Sequence, residues 1–543
     1  MLPRLGTYEA VRRQFRWNIG ERFNIGVDIC DKWAGDAQRL ALIYETRDGA
    51  VARYTFSQLT RLSNQAANLM RQAGTGRGDR IAILLSQAPE TAIAHIAAYK
   101  TGAIAVPLFT LFGVDALRFR LADSGAKLLI TNREGVAKIA GLRAELPELE
   151  TVYCIDGAAE GSAAFHEDLA RCSDQFEPVR TRADDPALII YTSGTTGKPK
   201  GALHAQRALL GHLPGVEMSH DFLPHAGDLM WTPADWAWIG GLMDLLMPAW
   251  HHGIPVLARR FEKFDPEAAF DLMARHRVRN AFLPPTALKL LRHVARPQQR
   301  WRFNLRSVAS GGESLGAELL EWGREVLGLT INEFYGQTEC NMVLSSCGAL
   351  FPALPGAIGK PAPGHDVGIV DDAGRILPDE EIGNIAVRSP DPVMFLGYWN
   401  EAQATRDKYV GEWLITGDTG VSHPGGYVQF VGRNDDVITS AGYRIGPGPI
   451  EDCLLSHPCV ALAAVVGIPD PDRTQIVKAF VVLKPGFTAS ETLKRELQDH
   501  VKIRLAAHEY PRDVAFVDAL PMTTTGKIIR RELRSWSDGH PSR

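Results

Sequence analysis

The chain has 543 residues, 45% of them hydrophobic and 22% charged, and a formal net charge of -4. Since domains hold roughly 150 residues, this length predicts more than one compact unit, and the ordinary composition excludes a disordered or fibrous chain. The nearly balanced charge disfavours nucleic acid as a partner.

The cysteines and the apolar segments indicate in which cellular compartment the protein is expected. The 7 cysteines are scattered without CxxC spacing, which favours reduced thiols over disulfides or a zinc site. The N-terminus mixes Arg with Glu and predicts no secretory signal, so we expect a cytoplasmic protein. The most apolar stretch, residues 229–250, contains Asp235 and Asp244, whose desolvation disfavours a membrane span. The sequence leaves open whether the chain forms a homo-oligomer.

Short apolar runs predict strands at residues 80–85, 127–131, 187–191 and 254–257, with helical patterns between them at 57–73 and 266–276. This alternation predicts an α/β fold with largely parallel, buried strands. Residues 384–388, 413–415 and 426–430 predict short strands with glycine turns, a β-rich subregion.

The amino-acid composition changes after Gly432, where a charged segment precedes a glycine-rich loop. We therefore predict an N-terminal domain over residues 1–432, a hinge at 433–436 and a compact α+β C-terminal domain over 437–543. The expected elements of the small domain are strands at 460–466 and 479–483 and helices at 450–456 and 490–503.

Residues 191–201, YTSGTTGKPKG, follow a predicted buried strand, and loops at the carboxyl ends of such strands face ligand crevices. Glycines, hydroxyls and two lysines, Lys198 and Lys200, suit a polyphosphate. Pro199 stands where a P-loop NTPase has Ser or Thr, which removes the magnesium-binding hydroxyl and one backbone donor. A P-loop NTPase is therefore disfavoured, and a solvated turn would not need so long a pattern.

This string resembles the signature of the adenylate-forming (AMP-binding) superfamily, and later segments resemble its other motifs in the family's order: SGGE at 310–313, FYGQTE at 334–339, TGD at 416–418, GRNDDVI at 432–438 and the segment 520–530. The resemblance is to acyl-CoA synthetases of the acetyl and medium-chain type. It implies a layered αβαβα N-terminal domain with a distorted β-barrel subregion and a small mobile α+β lid.

The resemblance also implies which residues bind ATP. They are Thr192, Ser193, Gly194, Thr195, Thr196, Lys200, Gly312, Glu313, Ser314, Tyr335, Gly336, Gln337, Thr338, Asp418 and Arg433.

Roles in catalysis follow from the same resemblance. Thr338 would contact the α-phosphate, Glu339 would ligate Mg²⁺, and the ammonium group of Lys527 would stabilise charge as the acid attacks ATP. Asp435 would be the hinge that exchanges Lys527 for a coenzyme A loop containing Ala441, Gly442, Tyr443 and Arg444. Pro449 stands where the family usually has Glu, which puts the geometry of that loop in doubt.

Residues 231–241 resemble the corresponding segment of acetyl- and medium-chain acyl-CoA synthetases, and this resemblance implies an acyl pocket that includes Trp238, Ile239 and Gly336. Amino-acid-activating relatives have Asp where Ile239 stands, so an amino-acid substrate is disfavoured. Acetate-specific relatives have Trp where Gly336 stands, so we expect a deeper pocket and a medium-chain, branched or aromatic acid.

The predicted activity is that of an AMP-forming acyl-CoA synthetase, with ATP, Mg²⁺ and coenzyme A. A rival hypothesis is an adenylating enzyme that loads a carrier-protein phosphopantetheine, since its first half-reaction is identical. A catalytically silent nucleotide sensor would be expected to lack Glu339 or Lys527, and both are present.

Overall fold

The computed structural model describes residues 1–192, 199–313, 315–433, 436–440, 443–470, 473–505, 509–523 and 528–536, without the side chains of residues 439, 443 and 444. Several predicted site residues lie outside this part of the chain: Ser193, Gly194, Thr195, Thr196, Ser314, Asp435, Ala441, Gly442 and Lys527.

The first region alternates helices and short apolar strands, as predicted. Helix starts are specified locally: Thr55 and Gln58 form a capping box that begins the third helix. The elements are α1 Tyr8–Gln14, α2 Ile25–Ile29, β1 Leu40–Glu45, β2 Val51–Thr55, α3 Phe56–Gln72, β3 Arg80–Leu84, α4 Pro89–Lys100, β4 Ile104–Pro107, α5 Val114–Ser124, β5 Leu128–Thr131, α6 Arg133–Ala140, β6 Thr151–Cys154, β7 Ala163–Ala164 and α7 Phe165–Ala170, with 3-10 turns at Asp31–Trp33 and Arg143–Glu145.

The second region continues the same pattern through the predicted nucleotide motifs. Its elements are β8 Pro186–Thr192, β9 Lys200–Ala205, α8 Ala208–Ser219, β10 Met230–Trp231, α9 Ile239–Gly241, a π-helical segment Leu242–Leu246, α10 Met247–His251, β11 Val256–Ala258, α11 Pro266–Arg275, β12 Asn280–Phe282, α12 Pro285–Arg292, α13 Pro297–Arg300, β13 Ser307–Gly311, α14 Ala317–Trp322, a π-helical segment Gly323–Leu327 and β14 Ile331–Gln337.

The third region is rich in antiparallel strands. It contains β15 Cys340–Ser345, β16 Ala357–Pro361, β17 Val367–Val370, β18 Ile382–Arg388, β19 Gly397–Tyr398, α15 Ala402–Arg406, β20 Tyr409–Val410, β21 Trp413–His423 and β22 Tyr427–Arg433.

The last region is α+β. It contains β23 Ile438–Ser440, β24 Tyr443–Ile445, α16 Pro447–Leu455, β25 Val460–Asp470, β26 Thr474–Leu483, α17 Glu491–Arg504, β27 Asp513–Phe516 and α18 Arg530–Leu533. The predicted strands and helices of this region are confirmed, although both long strands extend beyond their apolar runs.

The described strands form three sheets. The first runs β17-β18-β21-β22-β16-β15-β14-β13-β12-β10-β11-β1-β2, with β20 beside β21; the second runs β19-β9-β8-β4-β3-β5-β6-β7; and the third runs β24-β23-β26-β25, with β27 beside β26. Parallel pairing joins β10, β11, β12, β13 and β14, so the prediction of parallel α/β layers is confirmed. The expected β-rich subregion extends one edge of the first sheet, and no described pairing closes it into the predicted barrel.

The largest apolar core lies between the first two sheets and contains most of the tryptophan-rich stretch, with Trp236 and Trp250 fully buried. No helix in the described ranges is long and apolar enough to cross a membrane. Most residues of the stretch at 229–250 are buried in the protein interior.

Candidate active site

Two neighbouring parallel strands bring the predicted adenine turn and the FYGQTE motif together. Strands β13 and β14 pair in register, with Gly311 opposite Phe334. Their carboxyl ends therefore deliver Gly312 and Glu313 to the same sheet edge as Tyr335 and Gln337, where open α/β sheets bind ligands. Gly312 has a φ of +102°, a conformation that favours glycine.

A group of polar side chains, which we call the nucleotide corner, consists of Tyr335, Gln337, Asp418 and Arg433. The hydroxyl of Tyr335 and the amide Nε2 of Gln337 each donate to Asp418 Oδ2 at 2.7 Å. Arg433 Nε lies 3.6 Å from Asp418 Oδ1. Burial raises the pKa of Asp418, and the Arg433 guanidinium opposes that shift. A fixed carboxylate of this kind can accept hydrogen bonds from adjacent hydroxyls of a ligand.

Strand pairing explains why residues that are far apart in sequence meet in the nucleotide corner. Asp418 on β21 lies directly opposite Arg433 on β22. Sequence motifs named both residues, but only the antiparallel ladder places them side by side.

Glu339 is buried, with 7% of its surface exposed. The Tyr398 hydroxyl donates to Glu339 Oε1, and Lys200 Nζ lies 5.2 Å from the centre of the Tyr398 ring. Burial first, and the Glu339 charge second, raise the pKa of Tyr398, which keeps its hydroxyl a hydrogen-bond donor. Tyr398 thus connects the end of the phosphate-binding segment to the predicted metal ligand.

Sequence reasoning missed Tyr398, because it lies 59 residues after Glu339 outside any motif. It reaches the site because β19 pairs with β9, with Tyr398 opposite Ala202. No local pattern could have identified it.

A metal would have to be held with help from a ligand. Among the described residues, no group of three or more His, Cys, Asp or Glu could hold a metal ion. Glu339 supplies one hard carboxylate oxygen, which fits Mg²⁺, an ion usually bound through one or two carboxylates together with substrate phosphates. The residues present therefore fit a nucleotide-bound magnesium ion.

We call the aromatic side of the site the acyl wall, which consists of Trp238, Gly240, Phe282 and Phe334. The Trp238 ring occupies the side-chain position of Gly240, since an added Cβ there would lie 2.7 Å from it. The ring centres of Trp238 and Phe282 are 5.7 Å apart, and those of Phe282 and Phe334 are 5.2 Å apart. Ile239 is buried at the start of the same helix.

Neighbouring backbone and side-chain atoms fill the side-chain position of Gly336. A Cβ on Gly336 would lie 2.4 Å from the backbone nitrogen of Met342 and 2.5 Å from Cα of Asn341. The register of β14 and β15 shifts between Tyr335 and Gln337, which brings the returning strand against this glycine. The close approach of the backbone therefore requires glycine at position 336, and the depth of the acid pocket stays a prediction.

A cavity of about 300 Å³ lies beside Trp238. Its lining includes Trp238, Gly312 and Glu313 together with the exposed side chains of Leu111 and Leu290. This volume is at the lower end of the usual range for small-molecule sites. Sequence reasoning did not predict this cavity, whose residues come from separate segments of the chain.

The remaining predicted site residues contribute less to the described geometry. Thr192 ends β8 and its hydroxyl donates to the carbonyl of Lys200 at 3.4 Å, while Thr338 lies between Gln337 and Glu339. Tyr443 and Arg444 are in β24, but their side chains, like the nine residues named above, are outside the description.

The chain belongs to the family of AMP-binding enzymes, a class that this fold and site had indicated. The family's sequence pattern, described as AMP-binding enzyme, matches residues 31–399, and the pattern of the AMP-binding enzyme C-terminal domain matches residues 449–527.

Similar proteins narrow the class. The chain is 35% identical to human mitochondrial acyl-coenzyme A synthetase ACSM4, over 98% of this chain and 93% of that protein, and 33% identical to the acetyl-coenzyme A synthetase of Bacillus subtilis, over 99% and 96%. A crystal structure of Brucella canis acyl-CoA synthetase is 36% identical, covers 98% of this chain and 99% of its own, and has a TM-score of 0.76. The anthranilate CoA ligase AuaEII, with anthranoyl-AMP, is 30% identical, covers 95% and 98%, and has a TM-score of 0.87. The predicted membership of the acid–thiol ligases is confirmed.

Proposed function

We propose that this enzyme converts a carboxylic acid, ATP and coenzyme A to acyl-CoA, AMP and diphosphate through an acyl-adenylate. The observation that carries the proposal is the meeting, at one sheet edge, of the nucleotide corner with the buried Glu339–Tyr398 pair. These groups suit the ribose and phosphate parts of one nucleotide, beside an aromatic wall suited to an apolar acid.

In the first half-reaction the acid's carboxylate oxygen bonds to the α-phosphorus of ATP, and the bond to the departing diphosphate breaks. We assign Asp418 to the ribose hydroxyls, Thr338 to the α-phosphate and Lys527 to the charge that develops in the transition state. When bound, Mg²⁺ offsets phosphate charge, and Glu339 is the residue proposed to hold it. The Tyr398 hydroxyl would keep the Glu339 carboxylate in place.

In the second half-reaction the thiol of coenzyme A attacks the acyl carbonyl carbon, and AMP leaves. We assign the approach of the thiol to the cavity beside Trp238, because its lining includes both Trp238 and the exposed Leu111 and Leu290. The predicted loop at residues 441–444 would complete this route. Rotation at Asp435, within a hinge at 433–436, would exchange that loop for Lys527.

Free coenzyme A is the proposed acceptor, and the relatives named as CoA synthetases and ligases support it over a carrier protein. We propose a medium-chain, branched or aromatic acid, since the acyl wall is aromatic. A reducing compartment suits the seven cysteines, all free and buried, and the cytoplasm is the one that we propose.

The test is a reaction with ATP, Mg²⁺, coenzyme A and, in turn, acetate, isobutyrate, hexanoate, octanoate and benzoate. Diphosphate release and the mass of the thioester product report the two half-reactions. We expect both signals with at least one acid larger than acetate. Diphosphate release without any acyl-CoA would instead favour the carrier-protein hypothesis, and acetate as the best acid would contradict the proposed acid class.

A further inference from the structure

Asp244 is a carboxyl group buried in an apolar environment. It is 4% exposed and lies in the π-helical segment Leu242–Leu246, whose other residues all belong to the largest apolar core. Asn341 Nδ2 donates to Asp244 Oδ1 at 2.6 Å. Within the described residues this is the single hydrogen bond of the carboxyl group, so Oδ2 has no partner there. A buried polar atom without a partner is costly.

The Asp244–Asn341 pair lies beside the acyl wall. Gly240, which the Trp238 ring covers, is four residues before Asp244 in the same helical run. Asn341 lies against Gly336, since a Cβ on that glycine would be 2.5 Å from both Cα and Oδ1 of Asn341. Asn341 therefore lies against Gly336, which the sequence assigned to the acid pocket, and Asp244 follows one helical turn after the glycine that the ring of Trp238, another such residue, covers.

Two backbone irregularities coincide at this position. Asp244 lies in a π-helical turn, a rare conformation that is frequent at functional sites. Met342, the residue after Asn341, has a φ of 57°, and such strained residues also cluster at binding sites. A contact that only stabilised the fold would not need the π-helical turn or the positive φ. Two apolar side chains could pack the helix against β15 without burying a polar or charged group.

We propose that Asp244 and Asn341 form the polar inner end of the acid pocket, and that the preferred acid carries an uncharged hydrogen-bonding substituent, a hydroxyl or an aromatic amino group, that reaches Asp244. The proposal rests on the proposed function, because the substituent is recognised only on an acid bound for adenylation. Burial raises the pKa of Asp244 well above its usual range, against the opposing effect of Asn341. A neutral carboxyl group can both donate to and accept from such a substituent.

The experiment compares matched pairs of acids in the diphosphate-release assay with the full chain. The pairs are benzoate with each hydroxybenzoate and with 2-aminobenzoate, and hexanoate with 6-hydroxyhexanoate. We expect the wild-type enzyme to have a kcat/KM about tenfold higher for a substituted acid than for its unsubstituted partner in at least one pair, a typical effect of one buried hydrogen bond.

Variants test whether Asp244 is responsible. Asp244→Leu should lower the preference for the substituted acid about tenfold while changing kcat/KM for the unsubstituted acid much less. Asp244→Asn, which keeps a hydrogen-bonding group of the same shape, should retain more of the preference. Asp271→Leu removes an exposed carboxylate elsewhere and should leave the preference unchanged.

Each contrary result has a distinct meaning. If the wild-type enzyme prefers the unsubstituted acid in every pair, or if Asp244→Leu keeps the wild-type preference, the inference is wrong and the proposed function stands. If no acid gives diphosphate, both are wrong. The wild-type comparison needs no variant, so it decides the question even if Asp244→Leu does not fold.

Discussion

The nucleotide corner and the acyl wall both include residues of β14 and are built from different kinds of contact. The corner consists of polar side chains already paired with one another around Asp418. The wall consists of aromatic rings packed at tilted angles, and the core also contains one buried carboxyl–amide pair, Asp244 and Asn341. A nucleotide needs particular donors and acceptors at fixed positions, whereas an apolar acid needs a volume, which many residue combinations can supply.

This difference predicts that a substitution in the nucleotide corner alters the kinetics for ATP only, and that one in the acyl wall alters the kinetics for the acid only.

The largest effect is expected from Lys527→Ala. It should lower acyl-AMP formation at least a hundredfold, because a charge that stabilises the transition state is lost, and should spare thioester formation from supplied acyl-AMP. Equal loss of both half-reactions would contradict the assigned role. Lys502→Ala, at an exposed lysine of the same domain, is the control.

Asp418→Asn tests the nucleotide corner. The substitution keeps the shape but removes the charge that faces Arg433, so KM for ATP should rise about tenfold. The order of preference among acids should stay the same. A change in acid preference with an unchanged KM for ATP would show that the two regions are not separate. Asp379→Asn, at an exposed position, should have no effect.

Trp238→Ala tests the acyl wall, and it should change the kinetics for the acid rather than those for ATP. Removing the indole that lies against Gly240 should raise kcat/KM for bulky acids relative to acetate by about tenfold, since a pocket rejects acids chiefly by its volume. KM for ATP should change less than about twofold, because mutations at independent sites change each other's free energies very little. An increase in KM for ATP as large as that of Asp418→Asn would contradict the separation.

Tyr398→Phe should have a smaller effect, confined to the metal. The variant keeps the ring beside Lys200 but loses the hydroxyl that donates to Glu339. We expect the Mg²⁺ concentration for half-maximal rate to rise about fivefold, by the loss of one hydrogen bond. Titration of Mg²⁺ at saturating ATP measures it, with Tyr510→Phe as the control. An unchanged titration would mean that Tyr398 does not support the metal ligand.

The smallest effect concerns stability. Burial raises the pKa of Glu333, on β14 beside both regions, to about 8. The folded state then holds a proton that the unfolded state releases, so the free energy of unfolding should fall as pH rises from the ordinary carboxyl range to about 8. Glu333→Gln should flatten this decline by about 1 kcal/mol per pH unit. Urea unfolding at several pH values would measure it, and parallel wild-type and variant profiles would contradict the protonated state of Glu333.

By itself, the sequence determined the fold class and the polar parts of the site. Strands such as β3 and β8 follow from short apolar runs, and the motif residues Asp418 and Glu339 are identifiable because phosphate and ribose require specific chemical groups.

Only the tertiary structure decided the rest. Tyr398 reaches Glu339 through a strand pairing that spans 59 residues. The space beside Gly336 is filled by the backbone of residues 341–342, which the missing side chain alone could not indicate. Asp244 meets Asn341 across the core. The physical reason is common to all three: a motif specifies the chemistry of its own residues, but which atoms occupy the space beside them depends on the register and packing of segments that are distant in the chain.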